Sequence, residues 1–203
     1  MDYKILGQTV PVVEVTMNNG ESMYTQTGGM TYQTDGIKMR TNARGGLMKS
    51  LGRVFTGESI FMTNYDAEKD GATIAFATTV PGTILPIDLD KYDEGMIFQK
   101  GAFLCAEQSI DVKVTFTKKL GAAFFGGEGL ILQKATGNGM LFLEVDGDVI
   151  EKELKDGEIL KVDTGNVVGF EPSVTYTVEM VKGLRKHIFR WRRIILNKAC
   201  RTR

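Results

Sequence analysis

Apolar and polar residues alternate with period two along much of this chain. The segments Ile110–Thr117 and Val174–Met180 place an apolar side chain at every second position. Because neighbouring side chains of a strand point to opposite faces of a sheet, each segment predicts a strand with one buried and one solvated face. Short turns that end in glycine separate such segments, for example Asn18-Asn19-Gly20 and Asp156-Gly157. Glycine, Asn and Asp adopt positive φ at low cost, as tight hairpin turns require.

The alternating segments and their turns predict an all-β fold. The 24 glycines are spread along the chain, which suits many short strands arranged as a sandwich, a barrel or a β-helix-like roll. We expect few or no helices, because only residues 40–55 and the C-terminal tail have even a weakly helical pattern.

Short glycine motifs recur in the same order, at spacings of 64 to 73 residues between matched glycines. The matched segments are Phe55–Met62 with Phe125–Leu132, Pro81–Ile84 with Asp146–Val149, and Thr27–Met30 with Lys100–Phe103 and Thr164–Val167. This period is longer than that of a solenoid and predicts duplicated β modules around a pseudo-symmetry axis. We expect a first module at 1–90, a second at 91–184 packed on it, and a basic tail at 185–203.

The tail departs from the repeat. A further Phe-Gly-Gly-Glu-Gly motif is expected near Ile188, and permitted codons read from the second base of that residue give sixteen residues that match Phe124–Gly139 at eleven positions. We hypothesise that residues 185–203 are a frameshifted remnant of a third repeat, through truncation or a sequencing error. A gene sequence with codons incompatible with the shifted frame would refute this. Alternatively, the basic aromatic segment Leu184–Lys198 suits an anionic membrane surface or nucleic acid.

The formal net charge of zero conceals an asymmetry. Residues 182–203 hold nine Lys or Arg and no acid, so the 16 other basic residues face 25 acidic ones, a net charge of −9. We expect no nucleic-acid binding by this acidic body, because it repels phosphate backbones. Contact with a membrane is an alternative that no pattern in the acidic body supports.

The residues that ordinarily carry catalysis or bind metal are scarce. The single histidine, His187, lies in the suspect tail, so no Ser-His-Asp, Cys-His or multi-histidine set can form. The two cysteines, Cys105 and Cys200, are far apart, which predicts a reducing cytoplasm rather than a disulfide framework. Cys105 stands in an apolar stretch where a buried, inert thiol is expected. We therefore expect no enzyme, no catalytic residues, no cofactor and no metal.

Three further features have a structural and a functional interpretation. The acidic run Asp88–Gly95 predicts a solvated turn rather than a calcium loop, because it lacks regular ligand spacing. The basic segment Arg40–Arg53 predicts a connector, or alternatively a loop that contacts a ligand, RNA or lipid headgroups. Recurrent Gly-Glu pairs predict carboxylates that are exposed or bond turn amides; they are Gly20-Glu21, Gly57-Glu58, Gly127-Glu128 and Gly157-Glu158.

Four motifs resemble those of the mitochondrial biogenesis family, whose yeast member is named for altered inheritance of mitochondria. The motifs are Phe125–Leu130, Pro81–Ile87, Gln99–Leu104 and Val162–Gly165. The resemblance runs to residue 184 and is expected to stop there. It implies a double-stranded β-helix type fold related to the tryptophan RNA-binding attenuation protein, with no established activity. Fold kinship alone does not establish RNA binding.

Two functions remain as expectations. The first is a non-enzymatic structural or interaction protein of unknown protein partner that forms homo-oligomers in the cytoplasm. The alternative is a ligand-binding or RNA-binding β module that uses the Arg40–Arg53 loop or a cleft between repeats.

Overall fold

The computed structural model describes residues 1–26, 28–42, 62–118, 130–181, 184–190 and 194–198. The first ten strands are β1 (Asp2–Leu6), β2 (Val12–Met17), β3 (Ser22–Gln26), β4 (Met30–Gln33), β5 (Ile37–Asn42), β6 (Met62–Ala67), β7 (Ala72–Ala77), β8 (Gly82–Asp88), β9 (Met96–Gln99) and β10 (Phe103–Glu107). The others are β11 (Asp111–Lys118), β12 (Leu130–Thr136), β13 (Met140–Asp146), β14 (Asp148–Lys152), β15 (Ile159–Asp163), β16 (Val167–Phe170), β17 (Thr175–Val181), β18 (Leu184–Arg190) and β19 (Ile194–Lys198).

The all-β prediction is confirmed for these ranges. They contain no α-helix, and their helical turns are short 3-10 segments at Leu89–Lys91, Lys100–Ala102 and Thr164–Asn166. The predicted alternation is also present: Val174 is buried, Thr175 exposed, Tyr176 half-buried and Thr177 exposed.

Two predictions of helical tendency fail where the structure describes the residues. The tail forms β18 and β19, because adjacent strands supply backbone hydrogen-bond partners and β-branched residues such as Ile194 and Ile195 favour strands. Within the predicted segment 40–55, Arg40 to Asn42 belong to β5. The rest of that segment lies outside the described residues.

The chain divides into two compact units, Met1–Ile84 with Leu104–Gln108, and Leu85–Phe103 with Ser109–Arg203. The predicted module boundaries at residues 90 and 184 stay a prediction. In the first unit, β1-β2-β7-β4 form one sheet and β5-β6-β3-β10 are neighbours in another. In the second unit the strand orders are β11-β12-β9-β16-β19-β14 and β15-β18-β17.

The core of the first unit lies on one face of β2 and β7. Val13 pairs with Phe76 and Val15 with Ile74, and all four side chains are buried. Opposed residues of an antiparallel pair project to the same face, so the alternation of β2 directs these apolar groups together. The Phe76 ring also meets the ring of Tyr65 edge-on.

The core of the second unit is built around β9 and β16. Ile97 and Phe170 are opposed and belong to a buried cluster with Leu132, Leu154 and Val162. Both neighbours of β9 are strands, β12 and β16, so this strand has no free edge.

Candidate interaction surface

One edge of the first sheet is strand β1, which pairs with β2. All five of its residues are exposed, including the apolar Tyr3, Ile5 and Leu6. An edge strand with exposed apolar side chains can pair with a further strand.

Strand β4 forms the opposite edge of this sheet and presents Tyr32, whose surface is 41% exposed. The register aligns Lys4, Glu14, Ala75 and Tyr32 across the four strands. Because Ala75 is small, the Tyr32 hydroxyl reaches over it and donates to Glu14 Oε2. Lys4 Nζ lies 2.7 Å from Glu14 Oε1. This row of contacts orients the tyrosine at the sheet edge.

The same row perturbs both titratable groups. The hydrogen bond from Lys4, and then that from Tyr32, lower the pKa of Glu14 from its ordinary value. The hydrogen bond that Tyr32 donates to the Glu14 carboxylate raises the pKa of Tyr32. Loss of the hydroxyl proton would place two negative charges side by side. The tyrosine therefore stays a neutral hydrogen-bond donor.

Strand β15 forms an edge in the second unit. It pairs with β18, and Ile159 at its start is 51% exposed. Lys161 and Asp163 are also exposed, whereas Leu160 and Val162 pack in the hydrophobic cluster. The outward residues of β15 are thus one large apolar group and two charged ones.

The predicted burial of Cys105 is confirmed. The residue is completely buried and is the free cysteine of the described ranges. Burial raises the pKa of its thiol well above the ordinary value, since the apolar surroundings disfavour the thiolate.

The acidic run Asp88–Gly95 forms a turn held by its own carboxylates. Asp88 Oδ1 accepts from Asp90 N at 3.2 Å, and Lys91 Nζ lies 3.1 Å from Asp88 Oδ2. Asp90 Oδ1 accepts from Asn138 Nδ2 at 2.8 Å. These contacts agree with the turn interpretation. In the ranges with described side chains, no three His, Cys, Asp or Glu residues are grouped to hold a metal ion.

Two of the Gly-Glu pairs confirm the prediction that their carboxylates bond turn amides. Glu21 Oε2 accepts from Asn18 N at 2.7 Å, and Glu158 Oε2 accepts from Lys155 N at 2.9 Å. In both turns the glutamate N–H donates back to the carbonyl of that same residue, Asn18 or Lys155. The pairs at 57–58 and 127–128 lie outside the described residues.

The basic segment Arg40–Arg53 begins with an arginine that is already paired. Arg40 donates to both carboxylate oxygens of Asp66, with Nη2 at 2.6 Å from Oδ1. The Ser22 hydroxyl donates to the same carboxylate at 2.7 Å. Arg40 is therefore engaged by an acid rather than open to a phosphate, and residues 43–53 lie outside the described ranges. For His187 the structure describes only its backbone position in β18.

This ion pair predicts a pH dependence. The hydrogen bond from Arg40 is the main cause that lowers the pKa of Asp66. Since the folded-state pKa is depressed, the pair stabilises the protein above the unfolded pKa of about 3.9 and this contribution disappears as pH falls through the folded pKa. Arg40→Gln is expected to move the pKa of Asp66 back toward its ordinary value, as measured by carboxyl-carbon NMR titration.

Lys38→Gln is the matched control for that titration. Lys38 is on the same strand, and its effect on the pKa of Asp66 is the smallest of the resolved causes. We expect a smaller change than with Arg40→Gln. Equal changes from both substitutions would show that general positive charge, rather than the Arg40 hydrogen bonds, lowers this pKa.

The buried polar side-chain atoms without a partner are dispersed. They are Asn64 Oδ1, Thr78 Oγ1, Gln133 Oε1 and Ser173 Oγ. They lie on β6, after β7, on β12 and before β17. Over the ranges that the structure describes, no helix has the length and apolar character needed to cross a membrane.

The family model described as Mitochondrial biogenesis AIM24 matches residues 3–197. The chain belongs to the AIM24 family. The AIM24 match continues into the tail, so the expectation that the resemblance stops at residue 184 is wrong. Strands β18 and β19 of the tail lie within or at the end of the matched range.

Two proteins of Streptococcus pyogenes are similar to this AIM24 member. An uncharacterized protein of serotype M6 is 31% identical over 186 residues, which cover 88% of this chain and 73% of that protein. The X-ray structure of a second Streptococcus pyogenes protein aligns with a TM-score of 0.78 at 24% identity, covering 97% of this chain and 93% of that chain. The latter similarity concerns the fold alone.

The edges formed by β4 and β15 were not singled out from the sequence. The available signal was the glycine repeat, since Thr27-Gly28 follows β3 as Thr164-Gly165 follows β15. That match makes β3 and β15 counterparts, but it does not say which strand lies beside either of them.

Proposed function

We propose that this AIM24 family member is a non-enzymatic structural or interaction protein that self-associates in the cytoplasm through the edges of its sheets. The observation that carries the proposal is the exposure of apolar residues on edge strands, above all Tyr3, Ile5 and Leu6 on β1, Tyr32 on β4 and Ile159 on β15. An edge strand with exposed apolar side chains can add a further strand to its sheet.

The charge of the chain supports protein partners over nucleic acid. The body carries a net charge of −9 outside residues 182–203, which disfavours approach to a phosphate backbone. In the alternative RNA-binding or ligand-binding function, the Arg40–Arg53 loop would supply the contacts. The pairing of Arg40 with Asp66 weighs against that alternative.

As the finer architecture we propose double-stranded β-helix or β-roll modules, of the type found in the tryptophan RNA-binding attenuation protein. The repeated strand order supports this proposal: β11-β12-β9-β16 in the second unit corresponds to β5-β6-β3-β10 in the first. Sequential β modules with the same internal pairing are the expected product of duplication.

The first experiment is light scattering coupled to size exclusion over a wide range of protein concentration. We expect a molar mass that is a multiple of the chain mass and that rises with concentration. A filter-binding measurement with single-stranded RNA serves as the comparison and should show no retention at low salt. A monomer at every concentration, or RNA binding that weakens steeply with salt, would favour the alternative function.

A further inference from the structure

The glycine repeat establishes which strands are counterparts. Gly28, Gly101 and Gly165 occupy the same place in the matched motifs. At the resulting spacings of 73 and 64 residues, β3 (Ser22–Gln26), β9 (Met96–Gln99) and β15 (Ile159–Asp163) are counterparts. The strands that follow these glycines, β4, β10 and β16, form a second set of counterparts.

A shared irregularity supports the second set independently. The pairing of β4 with β7 is interrupted by a bulge between Met30 and Tyr32. The pairing of β16 with β19 is interrupted between Val167 and Gly169. The repeat makes Met30 the counterpart of Val167 and Tyr32 that of Gly169, so the same backbone position carries the bulge.

The counterparts pair with the same register where both are present. Strand β3 pairs with β10, with Thr25 opposite Cys105. Strand β9 pairs with β16, with Phe98 opposite Gly169. Phe98 is the counterpart of Thr25, and Gly169 is the counterpart of Cys105. Strands β3 and β9 are thus each joined to the second-set strand of the following repeat, β10 and β16, at an identical register.

Strands β15 and β4 are the members left without this pairing. Among the described strands, β15 pairs with β18 and β4 pairs with β7. The consequence is visible in burial: all four residues of β16 are buried and four of the five of β10 are, whereas β4 has three exposed residues. The two strands therefore offer complementary halves of one repeated contact.

We propose that β15 of one copy pairs antiparallel with β4 of a second copy, in the register of the counterpart pairs. This inference rests on the proposed self-association and specifies its interface. Shifting the observed pairs by the repeat places Tyr32 opposite Val162, Gln33 opposite Lys161 and Thr31 opposite Asp163.

The side chains at these positions are compatible with the pairing. Tyr32 beside Val162 is an aromatic next to a β-branched residue, a favourable cross-strand combination. The Gln33 carbonyl can accept from Lys161, and the Thr31 hydroxyl can donate to Asp163. No two like charges are opposed. Because the two contributing strands differ, a copy that uses one edge leaves the other edge open, so the contact extends into rings or open chains unless two copies form both β15–β4 contacts at once around a two-fold axis.

Cysteine cross-linking between two different chains tests the register. One chain carries Gln33→Cys and the other Lys161→Cys, both in a Cys200→Ser background, with buried Cys105 retained. Both substituted residues are exposed, so each variant is expected to keep the circular dichroism of the parent. A disulfide requires Cα atoms within about 4.4–6.8 Å. We expect a disulfide-linked heterodimer after mixing under oxidising conditions.

The matched control is a mixture of the Gln33→Cys chain with an Asp163→Cys chain. Asp163 lies on the same strand as Lys161 but two residues away from the position opposite Gln33. We expect the yield of disulfide-linked dimer to be at least about tenfold lower. Light scattering is recorded on the same samples. If the samples form oligomers but the two mixtures cross-link equally, or neither mixture cross-links, this interface is wrong while self-association still holds.

Two further outcomes are decisive. A monomer at every concentration would overturn the interface together with the proposed function. A chain that carries both Gln33→Cys and Lys161→Cys and closes its disulfide internally, without any linked dimer, would overturn pairing between copies.

Discussion

Gly95→Ala is expected to destabilise the protein by about 3 kcal/mol, as measured by urea denaturation. Gly95 has φ +78°, and a Cβ built there would lie 2.0 Å from the carbonyl oxygen of Ala135. The positive φ costs an L-residue about 1–2 kcal/mol, and forcing atoms into a filled site adds about 1–3 kcal/mol. The colliding atom belongs to the backbone of β12, so no rotation of a side chain relieves the contact.

The position of Gly95 makes the effect reach the sheet. It directly precedes β9, and its N–H donates to the Tyr92 carbonyl at 2.8 Å. Met96, the next residue, is paired with Ala135. Displacing Ala135 therefore disturbs the β9–β12 pairing at its first residue pair.

Gly157→Ala is the matched control for this substitution. Gly157 has φ +76° and lies in the same unit, but no atom comes within 4 Å of a Cβ built on it. Gly157→Ala should lower the free energy of unfolding by about 1–2 kcal/mol, which is the cost of the positive φ alone. Equal losses from both substitutions would show that the close approach to Ala135 contributes nothing.

Phe98→Ala is expected to lower the free energy of unfolding by about 3–5 kcal/mol, the range for removing a buried aromatic ring. Phe98 has no exposed surface and stacks on Phe103 with ring centroids 6.4 Å apart. On its strand neighbour it faces Gly169, where a Cβ would lie 3.1 Å from that of Phe98. Gly169 already lies close to Phe98, so the backbone of β16 has little freedom to move into the cavity that removal of the Phe98 ring would leave.

Two further variants serve as controls for Phe98→Ala. Phe98→Leu keeps most of the volume and should cost less than about 1.5 kcal/mol. Ile150→Ala removes a side chain that is 39% exposed and should stay within about 0.5 kcal/mol. A loss from Phe98→Ala no larger than that from Ile150→Ala would contradict the assignment of Phe98 to the core.

Local chemistry was predictable wherever a residue's own neighbours in sequence decide it. Alternation identified the face of Val174 to Thr177, and the apolar surroundings of Cys105 predicted its burial. The turn glutamates Glu21 and Glu158 were predicted to bond turn amides, and they do. These contacts span three residues, so they follow from the turn itself.

Tail structure and the Arg40 contact were not predictable in the same way. Basic residues among apolar ones give the tail a weakly helical pattern, yet β18 pairs with both β15 and β17. Arg40 looked like part of a basic loop because its acid partner, Asp66, is 26 residues away in sequence. In both cases a partner distant along the chain outweighs local preference.

The sequence by itself determined the all-β class, the repeat, the family and the principal turns, because alternation, glycine placement and motif order are properties of short segments. Only the tertiary structure decided which strands are neighbours. Alternation specifies a buried face but not a partner strand, and Thr25 meets Cys105, Phe98 meets Gly169 and Tyr32 reaches Glu14 across distances in sequence that no short pattern encodes. For that reason the edge positions of β4 and β15 among the described strands could be recognised only after the pairing of their counterparts was known.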